Sequence, residues 1–137
     1  MMKVLICGGR NFGRIIKDER DPTYELRIDQ YYWAMDMLDE AFKDRNIHVI
    51  HGNAPGADTI ADIWARSNNK AVTPYPADWI KHGVAAGPIR NQQMLDEGKP
   101  DLVLAFPGGN GTADMCSRAK KALVPVKKLV YSESSVY

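Results

Sequence analysis

Residues 102–112 read Leu-Val-Leu-Ala-Phe-Pro-Gly-Gly-Asn-Gly-Thr. An apolar run stops at Phe106, Pro107-Gly108-Gly109-Asn110-Gly111 follows at once, and Thr112 opens a segment of helical spacing. A strand that breaks into glycines and restarts as a helix leaves successive backbone N–H groups unpaired at the positive end of the helix dipole. Such a place binds anions, phosphate foremost. An ordinary strand-to-helix turn needs one glycine, so three in a row of five favour the phosphate reading.

The same grammar recurs along the chain. Apolar runs at Lys3–Cys7, His48–His51, Ala71–Tyr75, Leu102–Phe106 and Val126–Tyr131 read as strands. Between them, Ile28, Tyr31, Met35, Leu38 and Phe42 step by three and four, as do Ala57, Ile60, Ala61 and Trp64. Pro88 suits the start of a third helix that Gly98 and Pro100 stop, and Met115, Ala119 and Ala122 line a fourth. Strands alternating with helices predict an α/β, Rossmann-like three-layer sandwich: about five parallel strands with helices on both faces. The expected domain covers 1–131, with 132–137 a frayed tail.

Every glycine-rich segment leaves the carboxyl end of a strand. Gly8-Gly9-Arg10-Asn11-Phe12 follows the first, Gly52-Asn53-Ala54-Pro55-Gly56-Ala57-Asp58 the second, residues 76–87 the third and 107–112 the fourth. The opposite edge has plain polar turns. Ligands of open α/β sheets bind beyond the carboxyl ends, where strand order reverses. Four unusual loops are therefore expected to converge on one crevice. The connection over 13–24 is longer than usual, with mixed charge, and reads as a solvated flap.

Composition bounds the partners. A chain of 137 residues, 45% hydrophobic, 26% charged and of net charge +1 is an ordinary globular composition without the basic excess of a nucleic-acid binder. No apolar stretch approaches the ~20 residues that span a bilayer, and Met1-Met2-Lys3 runs straight into a strand, so a soluble cytoplasmic protein is expected. Cys7 and Cys116 read as reduced thiols, and the three histidines lack metal-ligand spacing, so no metal is expected. There is neither a P-loop nor a dinucleotide Gly-x-Gly-x-x-Gly spacing, so no redox cofactor is expected.

These segments together resemble the SLOG superfamily, which includes the LOG phosphoribohydrolases, the DNA-processing protein DprA and the YpsA-like proteins. The likeness is greatest to the YspA-type, YpsA-related branch. It runs through Gly8-Gly9-Arg10-Asn11-Phe12, His51 to Asp58 with Ala61 and Trp64-Ala65, Ala86-Gly87-Pro88-Ile89-Arg90-Asn91 with Met94, and Phe106 to Thr112. The resemblance implies binding of a nucleotide or nucleotide-derived ligand at the glycine-rich edge, and often a homodimer. In the LOG enzymes a glutamate three residues after the Thr112 position acts at an N-glycosidic bond; here Met115 stands there. Asp114 is one residue early, turned by ~100° about the helix axis.

Candidate ligand residues are thus Gly8, Gly9, Arg10, Phe12, Gly52, Asn53, Ala57, Asp58, Arg90, Asn91, Pro107, Gly108, Gly109, Asn110, Gly111 and Thr112, with Asp58 and Asp114 as candidate acid or base. Each has a plainer alternative. Arg10 either clamps phosphate or pairs with the acidic stretch Asp18–Asp21. Asp58 either receives ribose hydroxyls or caps a helix, and Asp114 either acts chemically or pairs with Arg118. Trp79 either stacks on a base or plugs its loop to the sheet, and Lys81 or His82 is a further phosphate candidate. Three functions stay open: a nucleotide binder that hydrolyses its ligand, a non-catalytic sensor or sequestering protein, and a single-stranded nucleic-acid binder. Near-neutral charge weighs against the last.

Overall fold

Strand residues buried on both faces cannot alternate apolar with polar, and Val4-Leu5-Ile6-Cys7 does not. The computed structural model, which describes residues 1–16, 18 and 20–132, places this run at the centre of a five-stranded parallel sheet. The strands are β1 (Met2–Cys7), β2 (Ile47–His51), β3 (Ala71–Pro74), β4 (Leu102–Ala105) and β5 (Val126–Lys128), in the order β3-β2-β1-β4-β5. Helices α1 (Tyr24–Phe42), α2 (Ala57–Ser67), α3 (Trp79–His82), α4 (Ala86–Gly98) and α5 (Asn110–Lys121) connect them. The expected α/β sheet with helices on both faces is the observed fold. Of the expected tail, residues 133–137 lie outside the described ones.

Successive side chains of β1 point to opposite faces. Val4 and Ile6 enter a core with Leu38 and Phe42 of α1 and Ile60, Ala61 and Trp64 of α2. Leu5 and Cys7 enter a second core with Met94 and Leu95 of α4 and Met115, Cys116 and Ala119 of α5. Both outer strands are suited to an edge. β3 ends in Pro74, which lacks an amide to donate, and β5 carries Lys127 and Lys128.

Several boundaries differ from expectation. β5 stops at Lys128, three residues early, although the Leu129 N–H still donates to the Ala105 carbonyl (2.8 Å). α4 begins at Ala86, so Pro88 lies inside its first turn, where no intrahelical N–H is lost. The left-handed residue that ends α4 is Lys99 (φ 48°), while Gly98 stays helical because a Cβ there would sit 3.0 Å from Ile50 Cδ1. Ala122 falls beyond α5 and is exposed; Cys116 takes the core position instead. Residues 79–82, read as loop, form the short helix α3, whose cap is Asp78 accepting the Lys81 N–H (3.0 Å).

Strand order makes the site. From β1 the chain moves outward through β2 to β3, then crosses back to place β4 on the other flank of β1. The carboxyl ends of β1 and β4 therefore diverge into loops that run to opposite faces, opening a crevice between them.

Candidate functional site

Glycines bring the loops at this crevice into backbone contact. The Gly9 N–H donates to the Pro107 carbonyl (2.8 Å), and the Ala57 N–H donates to the Gly9 carbonyl (3.1 Å). A Cβ on Gly8 would lie 2.9 Å from Phe106 Cβ, and one on Gly108 would lie 2.7 Å from Gly9 N and overlap the Thr112 hydroxyl. Gly56 (φ 77°) would overlap the Gly9 carbonyl. These four glycines weld three loops together. Gly109 and Gly111 differ, since nothing lies within 4 Å of a Cβ built on either.

At the start of α5 the amides stay free. The first bond of that helix runs from the Ala113 N–H to the Gly109 carbonyl (3.0 Å), and no side chain caps it. Among the described residues, the N–H groups of Gly108, Gly109, Asn110, Gly111 and Thr112 meet no protein acceptor. Consecutive amides at a helix start, with the dipole behind them, form an anion cradle.

Gly109–Thr112 of that cradle form one wall of a cavity of about 660 Å³, within the ~300–1,000 Å³ typical of small-molecule sites. All four loops contribute: Gly8–Arg10 after β1, Gly52, Ala54 and Asp58 after β2, Trp79, Val84, Gly87, Pro88, Arg90 and Asn91 after β3, and Gly109–Thr112 after β4. Cys7, Met94 and Met115 form an apolar floor. Met115, 1% exposed, is a core residue.

Two arginines enter the cavity. Among the described residues, Arg10 makes no ion pair with the stretch 18–21, of which residue 19 lies outside them; Asp18 pairs with Arg20 and Asp21 with Arg27. Its guanidinium instead lies 5.0 Å from the centroid of the Trp79 ring, a cation–π contact across the cavity mouth. Trp79 is therefore half-exposed and part of the wall rather than a plug. Arg90 donates to the Gly52 carbonyl and, through Nε, to Asn91 Oδ1 (3.0 Å). Burial pulls the Arg90 pKa down, Asp58 opposes that, and the nearby Arg10 charge adds to it. Two cations that repel each other across a cavity are stabilised by an anion placed between them.

The two carboxylates diverge. Asp58, 6% exposed, accepts the Ala54 N–H on Oδ2 (3.1 Å), which ties down the loop after β2 rather than the end of α2. Burial raises its pKa, against the lowering pull of that N–H and of the neighbouring His51 and Arg90 side chains. For Asp114, burial pushes upward too, but hydrogen bonds from Arg118 Nε (2.9 Å) and Asn91 Nδ2 (3.0 Å) bring it below the ordinary value. Asn91 also donates to the Gly111 carbonyl (3.3 Å), linking α4 to α5.

Not every candidate from the sequence faces this cavity. Phe12 is buried, stacked on Phe106 with centroids 5.6 Å apart. Ala57 is fully buried with its amide spent on Gly9. Asn53 is exposed at φ 58°, and its N–H donates to His51 Nδ1 (3.0 Å), which puts the ring proton on Nε2 toward Asp62 (2.9 Å). The Gly9 amide is likewise occupied, and Pro107 and Gly108 lie outside the lining, as do Lys81 and His82. The remaining candidates, Gly8, Arg10, Gly52, Asp58, Arg90, Asn91, Gly109, Asn110, Gly111, Thr112 and Asp114, are brought together. Val84 was missed; its signal was a lone branched apolar residue among glycines and alanines.

A parallel sheet with a glycine-walled cavity at its switch point is a Rossmann-like architecture. The chain belongs to the YspA, cpYpsA-related SLOG family, whose model matches residues 2–82. It is 47% identical over 133 residues to the Gene 61 protein of Mycobacterium phage D29, covering 92% of this chain and 94% of that one. The fold is similar to the crystal structure of TM1055, a structural-genomics target, at TM-score 0.62 and 19% identity, covering 92% of this chain and 72% of that one. Family membership associates the chain with nucleotide-related small-molecule ligands. Among the described residues, no helix is long and apolar enough to cross a membrane.

Proposed function

We propose that the cavity binds a nucleotide or nucleotide-derived ligand through its phosphate. The observation that carries this reading is the run of unpartnered amides from Gly108 to Thr112 beside two arginines with no carboxylate bonded to either among the described residues. Phosphate lies on the amides and draws Arg10 and Arg90 toward it, while the base occupies the apolar side with Trp79, Val84 and Met94. Asn91 and Asp114 take the sugar or base edge. A thermal-shift screen of nucleoside mono- and diphosphates tests it. Ligand at a hundred times its dissociation constant adds ~2.7 kcal/mol of stability. Arg10→Ala should weaken binding by roughly 10–150-fold, the ~1.5–3 kcal/mol of a charged hydrogen bond. No shift with any nucleotide would overturn the reading.

A second reading, hydrolysis of the bound ligand at an N-glycosidic or related bond, is favoured by one observation. Two carboxylates lining the cavity have pKa values moved in opposite directions, which suits an acid in Asp58 and an ionised partner in Asp114. Met115 in place of the LOG glutamate favours the non-catalytic sensor. Incubation with nucleoside monophosphates separates them: released base supports hydrolysis, and tight binding without release supports the sensor.

A further inference from the structure

The cavity has a neighbour. On the other side of the Gly9–Pro107 contact lies a second compartment of about 620 Å³, and Gly9, Arg10 and Gly109 belong to the walls of both. Its remaining walls come from Asn11 and Phe12 in the first loop, from Asp21, Thr23, Leu26, Arg27 and Gln30 around the start of α1, and from Pro107 and Gly108 after β4. Of the connection over 13–24, whose residues 17 and 19 lie outside the described ones, Asp21 and Thr23 thus wall a compartment. Arg27, 8% exposed, holds it down by donating Nη1 to the Arg14 carbonyl (2.7 Å) and Nη2 to Asp21. The Arg27 Nε is buried without a partner.

From this arrangement we infer that the site is two-lobed and that its ligand is a nucleoside diphosphate joined to a neutral polyhydroxylated group, of the nucleotide-sugar type. This rests on the nucleotide reading of the first cavity. The diphosphate sits at Arg10 and Gly109, the shared wall. The first lobe, with Trp79, Val84, Met94 and Met115, offers the apolar and aromatic surface a base needs. The second is more polar, with Asn11, Asp21, Thr23 and Gln30 beside Phe12 and Leu26. Gln30 uses Oε1 on the Gly13 N–H (3.0 Å) and leaves its amide NH2 without a protein acceptor among the described residues. Asp21 collects the Thr23 N–H (2.8 Å), the Thr23 hydroxyl (2.6 Å) and Arg27. With Arg27 offset by Asp21 and Arg10 given to the diphosphate, no further cation lines this lobe among the described residues, whereas hydroxyls match its polar groups. A mononucleotide leaves this lobe filled with water.

Calorimetric titration of the full chain tests it, with the four nucleoside monophosphates, the diphosphates and the glucose esters of those diphosphates. For the preferred base, the glucose ester should bind at least tenfold more tightly than the diphosphate. Gln30→Leu removes a donor, and Leu26→Trp fills the compartment Leu26 lines. Each should bring the ester back to the diphosphate's affinity while leaving mono- and diphosphate within about twofold of the parent protein. Equal affinities for ester and diphosphate, unchanged by both variants, overturn the two-lobed site and leave the nucleotide reading intact. Absence of binding by every compound overturns that reading and this inference together.

Discussion

Glycines at the cradle do two different jobs, and alanine scanning separates them. Gly108→Ala forces a Cβ onto the Thr112 hydroxyl and the Gly9 amide, so it should lower stability by ~1–3 kcal/mol, as overpacking does. Gly111 lies in the first turn of α5 with open space where its Cβ would go. Gly111→Ala should therefore raise stability by up to ~1 kcal/mol while weakening nucleotide binding, because the methyl enters the cavity. Urea melts and ligand titrations read the two effects, and a parallel fall in both for Gly111→Ala would contradict this assignment. Asp58 makes a second prediction. Its carboxyl binds a proton more tightly folded than unfolded, chiefly through burial. Its contribution is thus full below the ordinary carboxylate range and is lost as pH rises through the raised value. Asp58→Asn cannot ionise, so its stability relative to the parent should climb as pH rises from the ordinary carboxylate range through the raised value. Asp62, lowered by its bonds from Arg66 and His51, titrates alike in both proteins and cancels in that comparison.

Among the elements, α2 shows how much a pattern can reveal. Ala57, Ile60, Ala61 and Trp64 recur at three- and four-residue steps, and all four are buried at 1% exposure or less. In α1 the stripe was legible but displaced. Leu38 and Phe42 are buried as expected, while Ala34 takes the centre and Ile28, Tyr31 and Met35 lie on the flanks. An alanine adds little to an apolar count yet sits where two backbones approach most closely. Helix α3 has four residues, too few for any period, and Asp78 was its one local signal. This short helix nevertheless presents Trp79 to Arg10. Since Trp79 is 46% exposed, Trp79→Ala should leave the unfolding midpoint nearly unchanged. It should cost a stacked base ~1–3 kcal/mol; an affinity equal to the parent's would remove Trp79 from the base site.

For the molecule, the cavity is a consequence of topology. Its floor comes from Cys7 of β1, Met94 of α4 and Met115 of α5, on one face of the sheet. Its rim takes Asp58 from α2 on the other face. That convergence was readable because the glycine clusters all follow strands, and strand alternation fixes which edge they share. The second compartment was not readable. Asp21, Thr23, Arg27 and Gln30 carry no periodic signal, and only Arg27 folding back on Arg14 and Asp21 brings them beside Gly109. Arg27 was not among the residues of the stripe read for α1 and is buried all the same.

Backbone amide resonances of Gly108–Thr112, followed by nitrogen–proton correlation spectra during titration with a nucleoside diphosphate, interrogate the cradle atom by atom. Hydrogen bonds from free amides to phosphate should move these five signals downfield, saturating together with those of Arg10 and Gly9, and inorganic phosphate should move the same set at higher concentration. Nucleotide binding that leaves the 108–112 amides in place while other resonances shift would contradict the account.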